Sequence, residues 1–390
     1  MSRIENETFN ITKVYLRVLE PAPAVIPFQD STMGPFNTFG LAILTIEDED
    51  GCQGESPVYG SYTNILETCL LPILFYSKHL TYTELYRKLY WSVRNEGFRG
   101  PAAALVGQID IALHDLAARK AGIPLHKYLG AIHNDVTVYG SGGGTNYTLQ
   151  QLEAEVDYFL QAGVDCYKMK VGKDHGANMQ EDVERVKFVR NLVGKNMKLA
   201  VDANQIWTTE QALRFVEMTA AEDLAWFEEP VHSASYEQIQ QLCSRTKMVI
   251  SYGESERSSK MFPTLASMGV QHLQPVPMHL GGVKEWVEVK DLAINANLTF
   301  SSGGYSMYTA SLMATAPKHC QVEYLYAIMA GLEQYFYIRP QWKNGKFILP
   351  EIDGMPVRID WKYCTNENKI IRSQTWTSKN VKEYRPNVSL

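Results

Sequence analysis

A repeated strand–helix pattern between residues 167 and 254 constrains the fold of this 390-residue chain more than any other sequence feature. Four short apolar stretches in this region each end on charged residues. The intervals between these ends are 34, 26 and 26 residues, and each accommodates one strand, one crossover helix and two short loops. Units of this kind predict part of a (β/α)8 barrel, in which catalytic residues lie at the carboxyl ends of several strands. The charged ends are Lys168, Asp202, Glu228 and Glu254.

Three of these ends are carboxylates on successive predicted strands, and a barrel would bring them to one point. Asp202, Glu228 and Glu254 would repel one another without a counter-charge. A hard divalent cation is the simplest reason for them to share a site. The alternative is that they are unrelated surface charges at strand ends.

Two lysines accompany this predicted metal site. Lys168 and Lys170 are two residues apart on one strand, so both side chains point into the barrel mouth, the carboxyl-terminal end of the strands. Two neighbouring ammonium groups beside a divalent cation lower each other's pKa, so one lysine is expected to be neutral near pH 7. Lys170 is then the candidate base and Lys168 its electrostatic partner; the alternative is a pair of solvated lysines. Asn204, two residues after Asp202, is expected to face inward and contact metal or substrate.

Composition and charge narrow the classes of partner. A net charge of −6 and a pI near 5.9 give no reason to expect nucleic acid or an anionic membrane. No apolar run approaches the ~18 residues of a membrane span, and the polar start, residues 1–10, lacks signal-peptide character. We therefore expect a cytoplasmic protein. Its six cysteines form no CxxC motif and are expected to be reduced, buried core residues.

The segments around the repeat predict a second domain. Residues 11–19 and 41–47 alternate as strands, and 101–129 carries the strongest helical periodicity. Residues 21–39 and 51–62 are predicted as loops, the first as a lid or binding loop or, alternatively, as a disordered connector. Further barrel strands are predicted at 271–275, 298–302 and 321–325. Residues 345–350 and 354–360 are predicted as strands returning to the first domain, and the residues after Cys364 as a surface extension.

A set of motifs in fixed order resembles the mandelate racemase subgroup of the enolase superfamily. The resemblance covers residues 11–360 and includes a helix before the barrel, residues 109–116. It implies a modified (β/α)7β barrel at residues 135–335 and an α+β capping domain built from 1–134 and 336–390. The motifs are Lys168-Met-Lys170, Asp202-Ala-Asn204, Glu228-Glu-Pro230, Gly253-Glu254, Gln274-Pro275 and Gly303-Gly304.

The resemblance also implies a chemistry. Members of this family bind Mg²⁺ and remove the proton α to the carboxylate of a small-molecule substrate. By position, Asp202, Glu228 and Glu254 are the implied Mg²⁺ ligands, with Glu229 behind them. The resemblance further implies a symmetric homo-oligomer.

The sequence departs from the family pattern on the face opposite the lysines. The subgroup normally places an Asp–His dyad there, but Val276 and Gly303 stand at the two expected positions. Glu323 matches the acidic residue that family members place on the last strand, where it is expected to bind a substrate oxygen or to be a structural carboxylate. His279 and Tyr305 lie near the lost dyad and are candidate substrate contacts, with packed side chains as the alternative.

Loss of the dyad favours a reaction that needs bases on one face only. We expect a Mg²⁺-dependent lyase that dehydrates a sugar-derived carboxylic acid through an enediolate, with lysine as base. The alternatives are an isomerase (a cycloisomerase or an epimerase) and a non-catalytic homologue that binds carboxylate and metal.

Overall fold

The computed structural model describes residues 3–382, so two termini of the predicted capping domain, residues 1–2 and 383–390, lie outside it. The first part of the chain forms a hairpin of its second and third strands and, together with the C-terminal strand Ile370–Thr377 (β18), an antiparallel sheet in the order β18-β1-β4-β5. The strands are β1 Ile11–Leu19, β2 Ala22–Phe28, β3 Phe36–Phe39, β4 Ala42–Asp48 and β5 Gln53–Pro57, and the helices are α1 Thr63–Ile65, α2 Leu71–Tyr76, α3 Tyr82–Ser92, α4 Pro101–Lys120 and α5 Leu125–Tyr128.

Eight parallel strands then close into a barrel, since the last of them pairs with the first through Gln321 and Thr137. This confirms the predicted modified TIM barrel with an α+β capping domain. The barrel strands are β6 Asp135–Gly142, β7 Cys166–Lys170, β8 Lys198–Asp202, β9 Leu224–Glu228, β10 Ile250–Tyr252, β11 His272–Leu273, β12 Thr299–Ser302 and β13 Gln321–Leu325. The outer helices are α6 Leu149–Ala162, α7 Met179–Val193, α8 Thr209–Met218, α9 Tyr236–Arg245, α10 Phe262–Ser267, α11 Val283–Asn295, α12 Ser306–Met313 and α13 Tyr326–Leu332.

Local sequence signals delimit the barrel helices. Thr148 and Thr208 each form a capping box with a glutamine three residues later, which satisfies free amide groups at the starts of α6 and α8. Helix α6 ends at Gly163 in the left-handed conformation, which glycine adopts without strain. All five residues of β7 are buried, as expected where helices cover the outside and side chains fill the interior.

Helix α4 attaches the capping domain to the barrel. At Gly107 the helix backbone touches the loop after β11 so closely that no Cβ would fit against Leu280. Gln108 donates to the carbonyl of Met278 at 3.1 Å, and Tyr86 on α3 donates to that of Gly281 at 2.8 Å. The capping domain is therefore held directly above the loops that follow the barrel strands.

The prediction of a loop at residues 21–39 is wrong, because β2 and β3 form a hairpin there. Proline at positions 23 and 27 removes ladder donors from β2, and the strand lacks the alternation that marks a half-buried strand. The predicted loop at residues 51–62 likewise contains β5, which pairs along β4.

The C-terminal predictions also need correction. The remaining elements are β14 Phe336–Ile338, β15 Gln341–Lys343, β16 Lys346–Ile348, β17 Arg358–Ile359, α14 Trp361–Asn366 and β18 Ile370–Thr377. Strand β16 pairs with barrel strand β6, not with the capping sheet. The return to the capping domain is made by β18, which pairs along β1 within the segment predicted as a surface extension.

The exposure of the cysteines and the character of the helices were also predicted from the sequence. Cys166, Cys320 and Cys364 are buried, whereas Cys52, Cys69 and Cys243 are partly exposed, which corrects the expectation of six core thiols. Within residues 3–382, none of the helices combines the length and the apolar character needed to cross a membrane.

Candidate active site

Three carboxylates meet in the barrel mouth. Asp202 and Glu228 are the last residues of β8 and β9, and they are register partners across these neighbouring strands. Glu254 follows β10 by two residues. One oxygen from each carboxylate lies within 4.8 Å of the others. The predicted metal residues are therefore brought together, because adjacent parallel strands end at the same level.

The two lysines point into the same space. Nζ of Lys168 lies 2.7 Å from Oε1 of Glu228, 2.8 Å from Oε1 of Glu323 and 3.6 Å from Oδ2 of Asp202. Lys170 forms an ion pair with Oδ2 of Asp202. Both ammonium groups are buried, so their charges are compensated by carboxylates from three other strands.

Neighbouring carboxylates raise the pKa of both lysines in this arrangement of side chains, and the lowering predicted for lysines beside a divalent cation stays a prediction. Burial lowers the pKa of Lys170, as does the Lys168 ammonium, but the charges of Asp202, Glu254 and Glu228 outweigh both and raise it. At Lys168, burial again lowers the pKa, but the neighbouring carboxylates outweigh this effect and raise the pKa well above its usual range. A divalent cation at the three carboxylates would offset their negative charge, and the lowered pKa is predicted for that condition.

Two of the three triad carboxylates have raised pKa values, whereas at Asp202 the effect of burial is outweighed by Lys170 and Lys168, which lower its pKa. Burial and the charges of Asp202 and Glu254 raise the pKa of Glu228, against the effect of Lys168. Burial and Asp202 likewise raise the pKa of Glu254. Carboxylates that resist ionisation in this way lack positive charge, and a bound divalent cation would supply it.

Asn204 completes the set of oxygen donors. Its amide Nδ2 lies 3.4 Å from Oε1 of Glu254, and its buried Oδ1 has no hydrogen-bond partner among the described residues. The residue follows β8 in the left-handed conformation, with a φ of 41°, and its backbone amide donates to Oδ1 of Asp202 at 2.8 Å. The turn, and not strand alternation as predicted, therefore aims this side chain at Glu254.

These donors fit Mg²⁺. The set contains three carboxylates and one amide oxygen with a free lone pair, and Mg²⁺ prefers hard oxygen ligands. Behind the set, Gln205 donates to Oε2 of Glu229 at 2.7 Å and to Oγ of Ser255 at 2.7 Å. This network holds the turns that carry the ligand residues, and sequence analysis identified only its Glu229.

Glu323 occupies the space where a side chain at position 303 would lie. A Cβ added to Gly303 would stand 2.5 Å from Oε2 of Glu323 and 3.8 Å from Cγ2 of Val276. Burial alone would raise the pKa of Glu323, but Lys168 and Lys170 lower it, so the carboxylate is held ionised. The two positions predicted to have lost the dyad are thus filled by Val276 and by the Glu323 carboxylate.

His279 faces the capping domain. Its Nδ1 lies 2.8 Å from the backbone carbonyl of Glu254, which can only accept, so the proton is assigned to Nδ1. Burial and the nearby Arg257 lower the pKa of His279 to about 4. Its ring stacks on Tyr59 with centroids 5.8 Å apart. His279 is therefore a neutral ring whose Nε2 is an acceptor.

Tyr305 contacts the capping domain as well. Its hydroxyl donates to the carbonyl of Gly40 at 2.9 Å, and burial together with the nearby Tyr59 raises its pKa. The hydroxyl is therefore committed to a bond between the two domains, and a role for Tyr305 in substrate binding stays a prediction.

The β2–β3 hairpin reaches the same mouth. The buried Ser31 donates from Oγ to the carbonyl of Ala203 at 2.6 Å, directly between Asp202 and Asn204. This contact was not predicted, since nothing in the local sequence distinguishes Ser31 from other turn residues. Tyr139, whose ring lies 5.7 Å from Nζ of Lys168, was not predicted either. An aromatic residue in a barrel strand gives no signal in the sequence of its distance from the site.

Comparisons with known proteins agree with this geometry. The family model "Mandelate racemase / muconate lactonizing enzyme, N-terminal domain" matches residues 13–130. The model "Enolase C-terminal domain-like" matches residues 151–363, which is more than half of the chain.

Individual relatives extend over most of the chain. The 3,6-anhydro-alpha-L-galactonate cycloisomerase of Streptomyces coelicolor is 28% identical, over 85% of this chain and 92% of the relative. The arabinonate dehydratase of Saccharolobus solfataricus is 27% identical, over 82% of this chain and 88% of the relative. A crystal structure of a racemase from Streptomyces coelicolor A3(2) with bound magnesium superimposes with a TM-score of 0.84 at 26% identity, covering 91% of this chain and 99% of that one.

Proposed function

The chain belongs to the mandelate racemase/muconate lactonizing enzyme family of the enolase superfamily, and from this premise we propose that it is a Mg²⁺-dependent lyase. Its substrate is a sugar-derived carboxylic acid, and the reaction removes water across the α and β carbons. Asp202, Glu228 and Glu254 would hold the metal ion, with Oδ1 of Asn204 as an additional donor. Bound Mg²⁺ supplies positive charge that polarises the substrate carboxylate and stabilises the enediolate.

Lys170 is the base in this mechanism. A bound cation would offset the carboxylate charges that raise the pKa of Lys170, so that this residue can release its own proton to solvent. The neutral Nζ then takes the α-proton of the substrate. Lys168 remains an ammonium beside Glu323 and faces the substrate carboxylate. The α-proton then leaves Lys170 with the β-hydroxyl as water, so that the C–H and C–O bonds break on one face. The enol product tautomerises to a 2-keto acid.

One observation carries the proposal. Both ammonium groups enter the mouth from β7, while the opposite face presents Val276 and, at position 303, the Glu323 carboxylate, which is ionised beside the lysines and therefore carries no proton to donate. A base on one face suffices for syn elimination, whereas racemisation needs a proton donor on the other face. One relative is an arabinonate dehydratase, and its name supports a lyase that removes water from an acid sugar.

An isomerase is the second candidate, and the cycloisomerase relative favours it. Opening or closing a ring also needs only the lysine face. The neutral His279, whose Nε2 is an acceptor, would be the second base of an epimerase. A non-catalytic role is disfavoured because four charged groups (Lys168, Lys170, Asp202 and Glu228) are buried beside the partly exposed Glu254 without a structural need. Homo-oligomerisation and a cytoplasmic location stay predictions.

The experiment is a panel of acid sugars and lactones incubated with Mg²⁺ in D2O and followed by proton NMR. Wild type is compared with Lys170→Ala and with Lys173→Ala as a matched control, since Lys173 pairs with Glu181 outside the carboxylate triad. Loss of the α-proton signal with formation of a 2-keto acid in wild type and the control, but not in Lys170→Ala, supports the lyase. Deuterium exchange without elimination indicates the isomerase, and silence across the panel from wild type contradicts both.

A further inference from the structure

A buried arginine on α7 connects the catalytic strand to the loop beneath the hairpin. The side chain of Arg185 is 2% exposed. Its Nη1 donates to the carbonyl of Lys170 at 3.1 Å, and its Nη2 donates to the carbonyls of Gly143 and Gly144 at 2.8 and 2.7 Å. Since burying a guanidinium is unfavourable, these three carbonyls and the carboxylate of Asp182 are its compensation.

Asp182 holds the other side of the same segment. Its Oδ2 accepts from the amides of Gly172 and Lys173 at 2.9 and 3.0 Å, and its Oδ1 accepts from Arg185 at 3.3 Å. Together the two side chains form hydrogen bonds with the backbone from Lys170 to Lys173, at the carbonyl of Lys170 and the amides of Gly172 and Lys173. The direction in which Lys170 leaves its strand therefore depends on the position of this pair.

The glycine loop held by Arg185 continues into the docking site for the hairpin. The amide of Thr145 donates to the carbonyl of Gln29 at 2.7 Å, and its Oγ1 donates to that of Asp30 at 2.8 Å. The next residue, Ser31, contacts Ala203 at the metal ligands. A path of hydrogen bonds, joined by the peptide links from Gly144 to Thr145 and from Asp30 to Ser31, thus runs from Lys170 through Arg185 to the hairpin and back to the site.

We propose that Arg185 is a positioning residue that couples the orientation of Lys170 to docking of the β2–β3 hairpin over the barrel mouth. The inference rests on the proposed function in that Lys170 is taken as the base. The guanidinium is suited to this task because its two terminal nitrogens donate in a fixed geometry to acceptors on different segments. A lysine at this position would offer one nitrogen and could not span both.

Arg190 on the same helix provides the matched control. Its guanidinium also donates to backbone carbonyls, those of Gly194, Met197 and Glu222 at 2.8 Å each. These carbonyls precede β8 and β9, at the end of the barrel opposite the active site. Arg190→Lys therefore reproduces the chemical change of Arg185→Lys without touching the catalytic strand end or the hairpin.

The test compares three readouts in wild type, Arg185→Lys and Arg190→Lys: kcat and KM on the acid sugar identified by the panel, Mg²⁺ affinity by calorimetry, and hydrogen exchange of backbone amides. Arg185→Lys is expected to lower kcat by about 100-fold, the effect of a displacement of about 1 Å at a base, with Mg²⁺ affinity unchanged. It is also expected to speed exchange in both residues 30–33 and 171–173. Arg190→Lys should leave kcat and these two segments unchanged.

Equal losses of kcat in the two variants, or faster exchange in one segment only, would overturn the coupling. If Arg185→Lys does not fold, Thr145→Val replaces it, because this change removes only the hydroxyl that docks the hairpin. The proposal then requires a lower kcat together with faster hydrogen exchange of the backbone amides of residues 30–33. An unchanged kcat in Thr145→Val refutes the proposal. Exchange needs no substrate, so inactivity of wild type would refute the lyase while the exchange comparison still decides the coupling.

Discussion

Alanine at position 303 should damage the site through Glu323. The added Cβ would stand 2.5 Å from Oε2 of Glu323, whereas such contacts essentially never fall below 3.0 Å. The carboxylate must therefore withdraw by at least about 0.5 Å, which stretches its 2.8 Å contact with Lys168 beyond good hydrogen-bond geometry. We expect a loss of about 1–3 kcal/mol in the free energy of unfolding, as for overpacked cores. A similar displacement at the catalytic lysines should lower kcat by about 10- to 100-fold.

Urea denaturation and steady-state kinetics measure both effects. Gly40→Ala is the control, because this glycine is exposed, its added Cβ meets nothing within 4 Å, and its φ lies outside the left-handed region. The decisive comparison repeats Gly303→Ala in a Glu323→Ala background, in which the carboxylate is gone. Contact between the two positions predicts that the destabilisation by Gly303→Ala then largely disappears. An equal destabilisation in both backgrounds would refute the steric explanation.

Two further predictions concern the metal and pH. Mg²⁺ at 100 times its dissociation constant should raise the free energy of unfolding by about 2.7 kcal/mol, reversibly with EDTA; Glu254→Gln should lose most of this gain, and a variant that retains it would contradict the ligand assignment. Burial raises the pKa of Glu155 to about 7 from an ordinary 4.5, so the folded state binds this proton more tightly than the unfolded state. The stabilising contribution of the protonated Glu155 is therefore complete below pH 4.5 and is lost as the pH rises through 7. In urea denaturation between about pH 4 and pH 8, the free energy of unfolding of wild type should fall by about 3 kcal/mol more than that of Glu155→Gln. Parallel pH profiles of the two proteins would contradict this prediction.

The barrel and its charged mouth could be predicted because both depend on local patterns. Strand–helix spacing is visible along the chain, and parallel strands end at one face whatever their detailed packing. Lys168 and Lys170 share a side because strand alternation is a backbone property. Asp202 and Glu228 meet because each terminates its own strand, so no knowledge of the distant chain was needed to bring them together.

The capping elements depend on distant partners and were missed. Strand β18 is largely polar and exposed, as an edge strand can be. Only its antiparallel pairing with β1, in which Thr377 lies opposite Lys13, makes this segment a strand. The hairpin at residues 22–39 is stabilised by Thr145 and Ala203, which lie more than a hundred residues away. A weak signal did exist for Asp182, a charged residue in line with the buried Val186, Val189 and Val193 of α7.

What the sequence by itself determined is the fold class and the residues that enter the barrel mouth, since these follow from periodicity. What only the tertiary structure decided is the state of those residues. The raised pKa of Lys170 is a sum over carboxylates from several strands, and the room beside Gly303 is set by Glu323 on the next strand. Electrostatic and steric interactions fall off over a few ångströms in space and take no account of separation along the chain, so they are known only when the chain has folded.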